Sequence, residues 1–328
     1  MADKGPNTKG RQIPIVCPGH TRPLAELQFC HVKEENRTLL VSACHDKMPM
    51  MRDGTSGDWI GTFAGHKGAV WSCQLDSSGS LCATASGDFS VQVWDAITGQ
   101  SLWQFPHKHI VKTVDFTPNL KRLASGGHEG IVRIFDLQQA AQQKKLDPVA
   151  EIPQSPATKI LIAKCKWWTD SILLTGSSDG KIRFWDIPEQ QQTLPTEPTD
   201  ILETDGAEVR DMELTKLPNN GGDILTVAAG DKVYFFQLQE KKLLHVYKMP
   251  IHFREEGGAT LHPDGTRFVA GGSDLWVRVF DFATGNELEC NKGHHGPIRC
   301  VRYSPDGKLY ASGSEDGTIR LWKTDPEE

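Results

Sequence analysis

The sequence predicts an all-β protein built as a closed ring of seven four-stranded blades. Three observations carry that prediction. First, an aromatic-acid pair or a relic of it recurs at 52–53, 94–95, 135–136, 185–186, 236–237, 280–281 and 322–323. The spacings are 42, 41, 50, 51, 44 and 42 residues. Second, Asp88, Asp179 and Asp316 each stand six residues before a tryptophan, at Trp94, Trp185 and Trp322. Third, the segments between these marks alternate apolar and polar residues, as in "AVWSCQLD" and "PIRCVRYS", which is the period of a strand. Pro-Asp-Gly turns break them at 263–265 and 305–307.

Seven units at a period of roughly 40–45 residues are the signature of a WD-repeat β-propeller. Blade 1 opens at Gly19-His20 and keeps Ser42 and Asp46, but Arg52 stands where a tryptophan is expected. Blade 2 opens at Gly65-His66 and has the full set. Its turn carboxylate can accept from the imidazole, the imidazole can reach a strand hydroxyl, and the hydroxyl can accept from the indole. That predicts a buried chain Asp88–His66–Thr84–Trp94, in which each polar group needs its neighbour. Blade 3 keeps His107 and ends at Phe135-Asp136. Blade 4 keeps Thr175, Asp179 and Trp185 and lacks the histidine; blade 5, "AAGDKVYFFQL", is one residue short. Blade 6 carries the turn His262–Gly265 and the run "FVAGGSDLWVRVFD". Blade 7 repeats the full set as Asp316–His294–Ser312–Trp322.

The last unit ends at its third strand. The alternating segment "RQIPIVC", residues 11–17, precedes the first Gly-His and is read as the missing outer strand of blade 7. Pairing the N-terminal strand with the C-terminal blade closes the ring and hides an edge. The propeller is expected to span 11–323 as one domain, with a disordered stretch at 1–10 and a short acidic tail at 324–328. Gln- and Pro-rich insertions at 137–160 and 188–200 are read as surface loops.

Composition narrows the function. Net charge is 36 − 42 = −6, which gives no global footprint for nucleic acid, so no direct nucleic-acid binding is expected. The N-terminus "MADKGPNTKG" is polar and unlike a signal peptide, and no apolar run approaches the roughly 20 residues of a membrane helix. The eight cysteines form no C-x-x-C pair and are read as reduced, buried thiols. A cytoplasmic location with the nucleus as a second, no membrane contact and a monomeric chain are the expectations.

No catalytic, cofactor or metal set emerges. "GSSDG" at 176–180 matches G-x-S-x-G on paper, but that motif needs a strand-to-helix elbow, and here it falls on a strand-to-strand turn. "HKH" at 107–109 and "GHH" at 293–295 lack zinc-ligand spacing, and His107 and His294 belong to blade networks. Trp71 is read as blade packing, and of Trp167 and Trp168 one is read as core. Function therefore falls to surfaces. The top of the ring, built from the loops before strand one and between strands two and three, carries Arg22, Lys67, His109, Lys159, Glu208, His252 and His295. His45, His128, Ser178 and Glu315 join them from beside the turn Asp. This mix of cations, acids and imidazoles suits capture of a protein partner.

Longer stretches are more specific than any WD pattern. "GHTRPLAELQF", the run "GDWIGTFAGHKGAVW" at 57–71, "HKHIVKTVDFT" and "VRVFDF" resemble the serine-threonine kinase receptor-associated protein family, also called the Unr-interacting protein family. The likeness covers nearly the whole chain and is weakest through 137–247. It implies a non-enzymatic scaffold whose partners are proteins of an RNA-assembly or mRNA-binding complex. Animal members associate with the survival-of-motor-neuron complex that loads Sm proteins onto spliceosomal RNA, bind the RNA-binding protein Unr, and act in receptor kinase signalling. This chain ends at "KTDPEE" without the longer acidic tail of animal members, so ribonucleoprotein assembly, splicing and mRNA handling are the roles carried over. The i subunit of translation initiation factor three is the alternative family, sharing "GHxGAVW" and "GHxGPI"; an adaptor in receptor kinase signalling is the other alternative.

Overall fold

A computed structural model describes residues 12–154, 160–189, 195–218, 221–253 and 257–325. Its strands form seven separate four-stranded antiparallel sheets, each a blade of one propeller. Six blades run inner to outer strand in chain order. The seventh takes its outer strand, Ile15–Cys17, from the N-terminus. Ile15, Val16 and Cys17 pair with Leu321, Arg320 and Ile319. The Gln12 amide extends the seam, donating to the Lys323 carbonyl at 3.0 Å and accepting from its N–H at 2.5 Å. The closing strand is thus shorter than the 11–17 expected; Arg11 lies outside the described residues, as do 1–10 and 326–328.

Each blade buries both faces against its neighbours, so the core is a set of clusters between blades. Trp94, Trp185, Trp322 and Phe135 occupy one recurring position and are fully buried. In blade 2 the Trp94 indole donates to Thr84 Oγ1 at 2.8 Å, Thr84 lies 2.7 Å from His66 Nε2, and His66 Nδ1 lies 2.8 Å from Asp88. Blade 7 repeats this with Trp322, Ser312, His294 and Asp316 at 2.9, 2.7 and 3.1 Å. Burial pushes the His294 imidazole down to about 4 against the pull of Asp316. A neutral ring that donates from Nδ1 and accepts at Nε2 satisfies all four groups.

The carboxylate also fastens two loops. Asp88 accepts from the Lys67 N–H at 2.8 Å and from the Ser90 N–H at 3.1 Å, and Asp316 accepts likewise from His295 and Thr318, both at 2.8 Å. Burial alone would raise the Asp316 carboxyl; these bonds hold it at about 2.

Departures from the repeat are filled locally. In blade 1, His20 bridges Asp46 and Ser42 at 2.8 Å each, and the buried Arg52 guanidinium bonds the Gly57 and Pro18 carbonyls. In blade 3, Glu129 replaces the aspartate and clamps the Lys108 N–H, while His107 reaches Ser125 at 2.8 Å. Blade 4 corrects the sequence reading. Trp185 and Thr175 are joined at 2.9 Å, but Gln154, not Asp179, completes that chain, at 2.7 Å from Thr175. With no imidazole to bridge to it, Asp179 pairs with Arg183 at 2.5 Å.

The first insertion, read as a surface loop, holds a helix and a strand. Asp136 caps a helix, Leu137–Gln143, by accepting from the Gln139 N–H at 2.8 Å. Leu137 and Ala140 sink into the core shared by blades 2 and 3. The outer strand of blade 3, Ala150–Pro153, lies within the same stretch, and that of blade 4, Asp200–Glu203, starts where the second insertion ends. Residues 155–159 and 190–194 lie outside the described residues.

Two outcomes follow. Asp316→Ala removes the acceptor of a buried imidazole and the fastening of two loops; a loss of about 1–3 kcal/mol in denaturant unfolding is expected. An unchanged midpoint and slope would show that the chain of bonds carries no stability. Deleting residues 1–17 uncovers the strand Ile319–Lys323; limited proteolysis should then cut blade 7 first, and a digestion pattern equal to that of the intact chain would show that the seam does not close the ring.

Candidate interaction face and channel

The inner strands, Leu24–Val32, Val70–Leu75, Val111–Phe116, Ile162–Trp167, Val209–Lys216, Gly258–Leu261 and Ile298–Tyr303, surround the central channel. Six of these seven slip register after their first residue, the exception being Gly258–Leu261. Adjacent inner strands belong to different sheets, so the amides facing the next blade need other partners. Side chains supply them. Glu26 accepts from the Cys73 N–H at 3.2 Å, Thr113 from Cys165 at 2.9 Å, Asp115 from Trp167 at 2.7 Å and Thr260 from Tyr303 at 3.1 Å.

The same positions bring charge into the channel. Lys164 of blade 4 meets Glu26 of blade 1 at 2.6 Å, and Arg302 of blade 7 grips Asp211 of blade 5 at 2.6 and 2.7 Å. Longer contacts join the pairs: Lys164 to Asp211 at 3.9 Å and Arg302 to Glu26 at 3.8 Å. The Glu26 and Asp211 carboxyls are held low: burial acts to raise both, and the neighbouring cations overcome it. Glu213 differs. Its nearest ion pair, Arg302, is 3.7 Å away, and burial pushes its carboxyl up to about 7. None of these channel charges was singled out from the sequence. The available signal was a charged residue at the third or fifth place of an inner strand.

At the upper mouth of the channel, a cavity of about 160 Å³ is lined by Trp71, Lys112, His128, Glu208, Arg210 and Arg299. Trp71, read from the sequence as blade packing, is partly buried against the core shared by blades 1 and 2 and also lines this cavity. The Lys112 ammonium sits 3.1 Å from its ring centroid and His45 meets it edge-on at 4.2 Å. Burial, with Arg299 and Lys112 behind it, lowers the His45 imidazole to about 4. His128 stacks on His109 at 5.3 Å, and His109 meets Phe89 at 5.6 Å, so aromatic groups run from the rim to the channel. Phe89 takes φ +67, the left-handed conformation that blades 3, 4 and 7 give to Gly130, Gly180 and Gly317. The large side chain held out at that site is 43% exposed.

The predicted top-face residues separate into two groups. His45, His109, His128 and Glu208 gather at or beside the mouth. Glu208 is held by Arg210 at 2.8 Å and Glu315 by Arg299 at 2.7 Å, so both acids are committed to ion pairs. Arg22, Lys67, His252 and His295 are exposed on separate loops. Ser178 accepts from the Leu161 N–H at 3.1 Å and so ties its turn to the loop that enters blade 4. Lys159 lies outside the described residues. Sequence reading missed Lys112, Arg210 and Arg299, which flank the mouth from inner strands rather than loops.

The raised Glu213 carboxyl gives a signed expectation. The folded chain keeps a proton that the unfolded chain releases between its ordinary 4.5 and about 7. The stability from this group is therefore complete below about pH 4.5 and is lost as pH rises through about 7. Glu213→Gln mimics the protonated acid, so its melting temperature should gain on the wild type between pH 5 and pH 8. An offset equal at both pH values would show that Glu213 does not titrate in this range.

The WD domain, G-beta repeat family matches residues 57–95, 99–136, 158–186 and 285–323. Three of these windows run from the outer strand of one blade to the third strand of the next. A serine-threonine kinase receptor-associated protein of Dictyostelium discoideum is 44% identical over 310 residues, covering 94% of this chain and 98% of that protein. The Mus musculus protein of the same name is 41% identical over 315 residues, covering 96% and 83%. An initiation factor 3 subunit I of Drosophila erecta is more distant, 27% identical over 329 residues. With this identity sustained around the whole ring, the chain belongs to the serine-threonine kinase receptor-associated protein family of WD-repeat propellers.

Proposed function

We propose that this protein is a non-enzymatic scaffold whose top face captures proteins of a ribonucleoprotein-assembly, splicing or mRNA-handling complex, acting in the cytoplasm with a nuclear pool. The observation that carries the scaffold reading is the channel mouth. Trp71, with Lys112, His45 and His128 around it and Arg210 and Arg299 lining the same cavity, presents aromatic and cationic surface on a rigid ring, and tryptophan and arginine are the residue types that dominate protein interfaces. The charged groups below it are engaged with one another across blades, as Glu26–Lys164 and Asp211–Arg302 are, and serve the ring. The choice of an RNA-assembly partner rests on the family resemblance. Its relatives' name points to a receptor kinase adaptor as a second reading.

Arg22 and Lys67 are exposed top-face cations, and the Lys67 N–H is clamped to Asp88, which makes its loop a defined platform. Arg22→Glu with Lys67→Glu should weaken partner binding about tenfold, on the order of 1–2 kcal/mol, with an unchanged melting temperature. Affinity purification of tagged wild type and double mutant, followed by mass spectrometry, makes the comparison. Recovery of Sm-type and mRNA-binding proteins by the wild type supports the reading. Stoichiometric initiation factor 3 or a receptor kinase would replace it, and equal recovery by the double mutant would move the contact off these residues.

A further inference from the structure

The outer strand of blade 5, Lys242–Lys248, is seven residues long; the other outer strands have three to six. It ends its sheet, so its outward row of N–H and C=O groups has no strand partner among the described residues. Leu243, Leu244 and Val246 are 42%, 37% and 42% exposed. The register slips between Phe235 and Phe236, leaving Leu244 as the extra residue, and two consecutive leucines reach solvent.

Charge distinguishes this edge from its neighbours. Residues 240–248 hold Lys241, Lys242 and Lys248 against Glu240, 3 − 1 = +2, on a chain whose net charge is −6. The Lys248 side chain is 77% exposed although it lies 3.5 Å from Asp231, and Lys241 pairs with Asp200 of the blade 4 outer strand at 2.6 Å, so Lys242 and Lys248 are the cations the edge presents. The outer strand of blade 4 begins and ends with an acid, at Asp200 and Glu203, and that of blade 6, Glu287–Lys292, carries Glu287 and Glu289 against Lys292. Antiparallel pairing of Lys242–Lys248 with a second copy would oppose lysines to lysines between two anionic chains, so the edge disfavours self-association. An acidic strand meets Lys242 and Lys248 here, whereas the flanking edges present acids, Asp200, Glu203 and Glu287, that already hold Lys241, Lys181 and Arg278.

We propose that this edge is a docking strand for an extended segment of another protein, roughly five to seven residues of alternating β-branched side chains with acidic flanks. Main-chain bonds to the free edge hold the segment, Leu243, Leu244 and Val246 cover its apolar face, and Lys242 and Lys248 set its register. This surface lies on the side of the ring and is independent of the top face.

A displayed library of random peptides, panned on the full chain and counter-selected on Leu244→Glu with Val246→Glu, tests it. Enrichment of acid-flanked, β-branched sequences is expected. A synthetic peptide of the enriched sequence should slow hydrogen exchange in 242–248 and bind the counter-selection variant at least about tenfold more weakly, at equal melting temperature. Lys242→Glu with Lys248→Glu should reject that peptide and accept its lysine-flanked counterpart. No enrichment over the counter-target, or protection on the top-face loops instead, would overturn the proposal. So would wild-type dimerisation through 242–248 in sedimentation.

Discussion

One carboxylate at the turn between the second and third strands holds two loops at once. In blade 2, Asp88 takes a bond from His66 and the Lys67 N–H on the loop that enters the blade, and from Ser90 on the turn itself. Through His66 it reaches Thr84 and the buried Trp94. The core of the blade and the exposed ends of its loops are therefore positioned by the same group. Blades 1 and 7 use the same device; in blade 3 Glu129 keeps the loop clamp, on the Lys108 and His109 N–H groups, without a bond to His107. The exposed side chains of Lys67 and His295 stand on backbone whose N–H is fixed at 2.8 Å. Binding residues on such loops lose little freedom when a partner arrives.

The second constraint is the join between blades. Seven separate sheets cannot share ladder bonds, so the ring depends on side chains that reach the next inner strand. Glu26, Thr113, Asp115 and Thr260 do this by accepting backbone N–H groups. Glu26 and Asp211 are also charged, and they require Lys164 and Arg302 from distant blades to be buried at all. Breaking such a pair strands a charge, whereas the intact set favours one arrangement of the ring. Glu213 stands at the margin of that set, with burial outweighing the pull of Arg302 and Lys166.

The two surfaces differ in physics. The channel mouth is concave, cationic and aromatic, and its side chains are already oriented by contact with one another. The blade 5 edge is a strip of backbone whose specificity comes from alternating apolar residues and terminal lysines. A scaffold that uses both can hold one partner above the ring and another beside it without competition.

The repeat itself was legible in the sequence because its marks are local. The six-residue spacing from Asp to Trp sets a turn and one strand, and the Gly-His about twenty residues earlier sets the loop beside it. From these the seven blades, the Asp–His–hydroxyl–Trp chains of blades 2 and 7 and the closing strand could be placed. Where the marks decay, reading stopped short. The Gln154 substitute in blade 4 lies in the stretch read as loop, as does the helix at Leu137–Gln143, whose seven residues are too few to show a period. Only tertiary structure decided which inner-strand residues face the channel. That Lys164 meets Glu26 from 138 residues away, and that Lys112 lies over Trp71, depends on how the blades are turned about the axis, and no local pattern carries that angle.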